Sequence, residues 1–305
     1  MNRLEKKNAL SAVHDELQQS YADGFGVNDA GGDSLPRRSE VIDVTEKLLE
    51  LIFPGFDRAG TYPSALVLLA DCMRELSDQI SRAMHRVSGD DCDSCEHGCS
   101  SCCDNLSLAL LKKLPAIREV MKTDVKAAYN GDPAAKNYDE IILSYPGVKA
   151  IAIQRIAHEL YVLDVPLIPR MMTEYAHSVT GIDIHPGATI GAGVFIDHGT
   201  GVVIGETAVI GDSVRIYQGV TLGAANFPKN ACGMLIKGNK RHPTVGNNVT
   251  IYSGASVLGD ITIGDNSVIG GNVWLAESLP PGTKITALPP EHRKKFLNNS
   301  GECSK

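Results

Sequence analysis

Residues 202–222 read VVIGETAVIGDSVRIYQGVTL. Every sixth position from Val202 is small and apolar: Val202, Ala208, Val214 and Val220. Two places beyond each stands a second aliphatic, at Ile204, Ile210, Ile216 and Leu222. Upstream, Ile184, Ile190 and Ile196 keep the same interval of six. After an interruption it resumes at Val245, Ile251, Val257, Ile263, Ile269 and Leu275, with Gly191, Gly205, Gly211, Gly264 and Gly270 supplying turns. A period of six is that of hexapeptide repeats, which wind into a parallel β-helix. Three hexads make one triangular coil of 18 residues, and each repeated aliphatic points inward and stacks on its copy in the next coil. The interruption, residues 226–244, carries Lys229, Lys237, Lys240 and Arg241. A loop of that length leaving a regular solenoid reads as functional.

Outward from the repeats the texture changes. Residues 1–40 are polar and glycine-bearing and read as a flexible N-terminal arm. Residues 41–180 carry helical periodicity. Leu66, Leu69, Met73, Leu76, Ile80 and Met84 fall on one face, and so do Val148, Ile151, Arg155, Ile156, Glu159, Leu160 and Leu163, a run closed by Pro166 and Pro169. The repeat domain spans 181–280, where Pro280 and Pro281 end it, and 281–305 form a polar tail. The expected class is α+β, an all-helical N-terminal domain followed by a parallel β-helix.

The 305 residues suffice for two domains with real cores. A net charge of −7 gives nucleic acid no electrostatic footprint. No apolar run reaches the length of a membrane span, and Met1–Asn8 is charged, unlike a signal peptide. The expected compartment is therefore the cytoplasm, where the eight cysteines stay mostly reduced.

Several separate motifs, in order, give the chain its likeness. They are GIDIHPGA at 181–188, IDHGTG at 196–201, VIGET at 203–207, RHPT at 241–244, and in the helical half GDPAA at 131–135 and IQRIAHE at 153–159. Over roughly residues 115–285 the chain resembles the serine acetyltransferases. The resemblance implies a left-handed β-helix and a homo-oligomer that is a trimer or a hexameric dimer of trimers. It implies acetyl transfer from acetyl-CoA to the hydroxyl of L-serine. It also implies L-cysteine as a feedback inhibitor in the serine site.

A serine hydroxyl attacking a thioester needs a base, and histidine titrates near the working pH. By resemblance His198 is that base, with Asp183 orienting it through the other ring nitrogen. Asp132 and Asp197 would take the substrate ammonium, Arg241 with His242 its carboxylate, and Glu206 would order that cluster. His185 lies in the same motif and reads as structural. Acetyl-CoA would meet Gly223, Ala224, Ser253, Gly254 and Ala255. The long 226–244 loop departs from the short glycine-rich loop of many relatives. Many relatives also insert a C-terminal isoleucine into cysteine synthase. This chain ends Gly-Glu-Cys-Ser-Lys305, so that partner is not expected.

Cys92, Cys95, Cys99, Cys102 and Cys103 give C-x2-C-x3-C-x2-C-C. That spacing suits four thiolates on a metal, a redox-labile group, or neither, and no catalytic metal is expected. Other hexapeptide enzymes acetylate sugars or bind zinc through three histidines. His185, His198 and His242 would be the zinc set, which leaves Asp197 and Arg241 without a task. A sugar or another hydroxy amino acid is the alternative acceptor.

Overall fold

The computed structural model describes residues 2–22, 35–56, 64–88 and 99–288. Its helices are α1 Arg3–Tyr21, α2 Arg38–Ile52, α3 Ala65–Ser88, α4 Cys99–Gly131, α5 Tyr138–Ser144, α6 Pro146–Val162 and α7 Ile168–Thr180. The arm expected at 1–40 thus contains a helix. Asn2 caps α1 by accepting from the backbone of Leu4 and Glu5, while the Glu5 side chain accepts from the Asn2 N–H. None of its residues is buried. In α3 the buried line runs through Leu68, Cys72, Leu76, Ile80 and Ala83. Leu69, Met73 and Met84 border it, and Leu66 stands exposed rather than on the packed face. Pro169 does not close α6; it starts α7, where a missing N–H goes unmissed.

From Asp183 the chain is a left-handed parallel β-helix with three faces. Face A stacks β1 Asp183–Ile184, β4 Val203–Ile204, β7 Thr221–Gly223, β10 Ser256–Leu258 and β13 Trp274–Leu275. Face B stacks β2 Thr189–Ile190, β5 Val209–Ile210, β8 Thr244–Val245 and β11 Thr262–Ile263. Face C stacks β3 Phe195–Ile196, β6 Arg215–Ile216, β9 Thr250–Ile251, β12 Val268–Ile269 and β14 Lys284–Ile285. The strand β14 lies beyond Pro281, so the repeat domain runs past the expected boundary at 280. The Pro280 carbonyl accepts from the hydroxyls of Ser267 and Thr283, which turns the prolines into a corner.

The register is not uniform. Val203 pairs with Thr221 eighteen residues on, but Asp183 pairs with Val203 twenty residues on. Asp197 and Tyr217 donate equivalent ladder bonds, to Ile216 and Ile251, and the carbonyls of Thr200 and Gln218 accept equivalent ones, from Gly219 and Gly254. His198 and Gly199 are therefore the two extra residues. The inward strand residue is Ile196 before them and Ile204 after them, not Val202 as the unbroken period suggests. Val202 is buried as well, in the turn position just ahead of β4 and two residues before Ile204.

The first coil has no coil above it, and its carbonyls would be orphans. One side of α6 takes them. Gln154 donates to the Ala188 carbonyl, Arg155 to those of Ile190 and Gly191, and the His158 ring bonds that of Pro186. Arg155 also holds the buried Asp124 of α4, which accepts from the Val194 N–H. Burial pushes Asp124 up to about 6 even with that guanidinium bonded to it. The IQRIAHE motif is thus the lid of the prism.

Candidate functional site

Close approach of the helical domain builds the first part of the site. A Cβ on Gly147 would lie 2.3 Å from the Ile196 carbonyl, so only glycine lets the start of α6 sit on β3. Tyr145, the residue that caps α6, is thereby carried to the corner between faces C and A. Its hydroxyl donates to Asp132 at 2.5 Å, and the Ala134 N–H donates to the other oxygen at 2.8 Å. These bonds, with the charge of His198 nearby, hold the Asp132 carboxyl below its usual range. Burial and Asp132 push the Tyr145 hydroxyl well up, so it stays a donor.

His198 stands at the same corner. The Gly199 N–H bonds the Asp197 carbonyl at 2.6 Å across it, and its φ is +57°. That is a three-residue turn of the strained, positive-φ kind. Its side chain is 72% exposed, and its Nε2 lies 4.0 Å from Asp197 Oδ1, too far for a hydrogen bond. The corner thus presents an open imidazole beside two carboxylates, Asp132 and Asp197.

The second part lies where face A turns into face B. Glu206 pairs with Arg241 and accepts from the Tyr161 hydroxyl at 2.9 Å. Burial works to raise the Glu206 carboxyl, but Arg241 and Tyr161 outweigh it and the net shift is downward. His242 is buried over Gly205, where a Cβ would meet its ring at 2.1 Å. Burial, then the charge of Arg241, lowers it to about 4. Its Nδ1 accepts from the Thr207 N–H at 3.1 Å, which leaves Nε2 to carry the proton of the neutral ring. The Thr207 hydroxyl accepts from the backbone N–H groups of Arg241 and His242, and Lys240 donates to its carbonyl. One threonine therefore pins the exit of the extruded loop. His185 is lowered by burial and Arg170, and its Nδ1 accepts from the Gly187 N–H. Asp183, on β1, lies 3.8 Å from Arg170, which also pairs with Glu174.

Within one chain the expected site residues therefore form two groups. Asp132, Asp197 and His198 share the C/A corner. Glu206, Arg241 and His242, with His185, share the A/B corner. Among the described residues no hydrogen bond or ion pair joins Asp183 to His198. The expected acetyl-CoA contacts divide likewise. Ser253 and Gly254 follow β9 on the C/A corner, in a column where Gly201, Gly219 and Gly254 stack, a Cβ on Gly201 or Gly219 lying 3.6 or 3.5 Å from the next glycine's Cα. Gly223 ends β7, with Ala224 next, where the chain leaves the prism; it is back on it by His242 and by Pro243, whose carbonyl accepts from the Val209 N–H. The Ala255 side chain faces inward and is fully buried, so it spaces the corner and offers no side-chain contact.

Tyr145, Tyr161, Thr207 and Arg170 were not among the expected site residues. Nothing in their spacing marks them, because each acts across elements distant in sequence. Of the cysteine cluster, Cys92 and Cys95 lie outside the described residues, and Cys99 begins α4. Cys102 is exposed and Cys103 buried, on successive positions of that helix. No described helix is long and apolar enough to cross a membrane.

Residues 242–277 match the family model for the bacterial transferase hexapeptide (six repeats). The chain is 58% identical over 181 residues to the plasmid serine acetyltransferase of Synechococcus elongatus, a stretch covering 59% of this chain and 57% of that relative. It is 50% identical over 169 residues to the serine acetyltransferase of Mycobacterium tuberculosis, covering 55% and 70%. Among solved structures, serine acetyltransferase isoform 3 of Entamoeba histolytica in complex with cysteine is 39% identical. Its TM-score is 0.70, and the match covers 84% of each chain.

Proposed function

The chain belongs to the serine acetyltransferase family, and on that premise we propose that it acetylates the hydroxyl of L-serine with acetyl-CoA in a site shared between subunits. One observation carries the reading. The open imidazole of His198 and the anchored guanidinium of Arg241 lie on two different corners that flank the same face. Face A also turns the apolar Val203 and Trp274 outward, at 38% and 73% exposure. A cyclic trimer packing through face A sets the C/A corner of one copy against the A/B corner of the next.

In that arrangement Asp132 and Asp197 hold the serine ammonium, and Arg241 of the partner subunit holds its carboxylate. His198 takes the hydroxyl proton as the serine oxygen bonds to the acetyl carbon. The carbon–sulfur bond then breaks, and the imidazolium returns the proton to the CoA thiolate. Asp183 of the partner subunit stands behind the imidazole and fixes its tautomer. Acetyl-CoA lies in the groove along Ser253 and Gly254. L-cysteine, with the same ammonium and carboxylate, competes for the serine site.

The test is CoA release from acetyl-CoA with L-serine, against galactosides and other hydroxy amino acids. Serine is expected to be the preferred acceptor, with L-cysteine raising its KM. A galactoside acetylated faster than serine would overturn the assignment.

A further inference from the structure

The third corner of the prism, between faces B and C, holds a cleft of about 350 Å³ that the proposed reaction does not use. One wall is α4, which presents Thr123, Lys126 and Asn130 at steps that share a helix face. The other wall is the prism itself, through Ser213 and Asn248 at the corner and Arg215 on face C. We propose that this cleft binds a small phosphorylated metabolite, with its phosphate between Lys126 and Arg215.

Four observations converge. First, neither cation has a carboxylate partner among the described residues, although the whole chain carries a net charge of −7. The nearby acids are otherwise engaged: Asp124 is bonded to Arg155, and Asp212 accepts from the Ala192 N–H. Second, Arg215 is half-buried and its guanidinium lies over the Phe195 ring, 5.9 Å from the centroid. A stacked guanidinium keeps a fixed fork of donors, which suits a phosphate better than a mobile ammonium does. Third, no described hydrogen bond occupies the side chains of Asn130 or Ser213, so two neutral polar groups remain for the ligand's hydroxyls. Fourth, the volume exceeds what a lone ion needs and falls in the range of small-molecule sites.

The corner is opposite face A, so it stays open when copies pack through that face. It also adjoins the serine half of the site. A Cβ on Gly131, the last residue of α4, would lie 3.0 Å from the Arg215 guanidinium, and Asp132 follows. A phosphate bridging Lys126 and Arg215 clamps the end of α4 onto face C and steadies Asp132. Binding itself does not depend on the proposed reaction. Only its effect, a lower KM for serine, does.

The experiment is the thermal midpoint of the full chain, titrated with glycerol 3-phosphate and separately with inorganic phosphate, against sodium chloride at equal ionic strength. Wild type is expected to show a saturable rise of a few degrees with glycerol 3-phosphate. Arg215→Gln and the surface variant Lys126→Gln should lose the saturable part and keep only the general salt effect. Equal affinity for inorganic phosphate would mean that the phosphate group alone is read, and a stronger response to the ester that the neutral groups take part. Equal rises in wild type and both variants, or no saturable rise at millimolar ligand, would overturn the proposal. So would a raised KM for acetyl-CoA in Arg215→Gln without any response to glycerol 3-phosphate, since the cleft would then belong to CoA.

Discussion

The C/A and A/B corners of the prism treat their charged groups in opposite ways. At the C/A corner His198 rises on a strained turn and is mostly exposed, and its Nε2 stands 4.0 Å from Asp197 with no hydrogen bond between them. At the A/B corner Arg241, Glu206 and His242 each already have a partner within the chain. Arg241 is bonded to Glu206, Glu206 to Tyr161, and His242 to Thr207. In the proposed reaction, the group that gains and loses a proton stays open to its substrate. The groups proposed only to hold a carboxylate are fixed beforehand, so little order would be lost on binding.

The contrast can be broken experimentally. The largest effect expected is from His198→Ala, which should lower kcat by about 10²–10⁴-fold with folding intact, read by CoA release and circular dichroism. Arg241→Ala should also be nearly inactive at ordinary serine levels. Mixed after joint refolding, the two inactive variants should recover activity at about one quarter of their interfaces in random trimers. No recovery would place both corners' work within one chain.

The next effect concerns His242. Its folded value of about 4 lies below the ordinary 6.5 of the unfolded ring. The unfolded chain therefore binds more protons between those values. The stabilisation is full above about 6.5 and is lost as pH falls toward 4, on the order of 3 kcal/mol in all. Urea unfolding midpoints from pH 7 down to 5 should fall less steeply in His242→Asn than in wild type. Parallel curves would show that the burial of this ring carries no linkage.

The smallest effect expected is from Tyr145→Phe. Removing one hydrogen bond to a charged carboxylate is worth about 1.5–3 kcal/mol at most, less here because Asp132 keeps Ala134. KM for serine should rise roughly ten-fold, with kcat and the KM for acetyl-CoA little changed. A fall in kcat alone would make Tyr145 part of the proton path instead.

Much of this was legible in the sequence because a solenoid writes its architecture into a period. Ile204, Ile210 and Ile216 point inward as read, and of the α6 stripe Val148, Ile151, Arg155, Ile156 and Leu160 are buried while Glu159 and Leu163 are half-buried. The phase shift at His198 was hidden because two positions per hexad are apolar. When two residues enter the corner, Val202 in the turn set takes the place that the strand set left, and the count of six continues unbroken. The grouping of site residues was hidden for a different reason. Asp183 and His198 are fifteen residues apart in the chain, yet they sit on a face and at a corner with different neighbours. Only the coil's geometry tells which residues share a corner. Tyr145 acts through one hydrogen bond and Thr207 through several, all to elements distant in sequence, and such bonds leave no periodic trace.

The pair His198 and Gly199 has one more consequence. The surplus length is spent outward, at a bend, before the next strand starts, and the layers beyond it stack as though nothing had been added. The loop after β7 is spent the same way at another bend. A coiled prism of this kind keeps its structural ledger on the faces and leaves its bends free to be lengthened. New chemistry can therefore be spliced into a bend without redesign of the interior, which is how a repetitive scaffold comes to carry one residue unlike all its repeats.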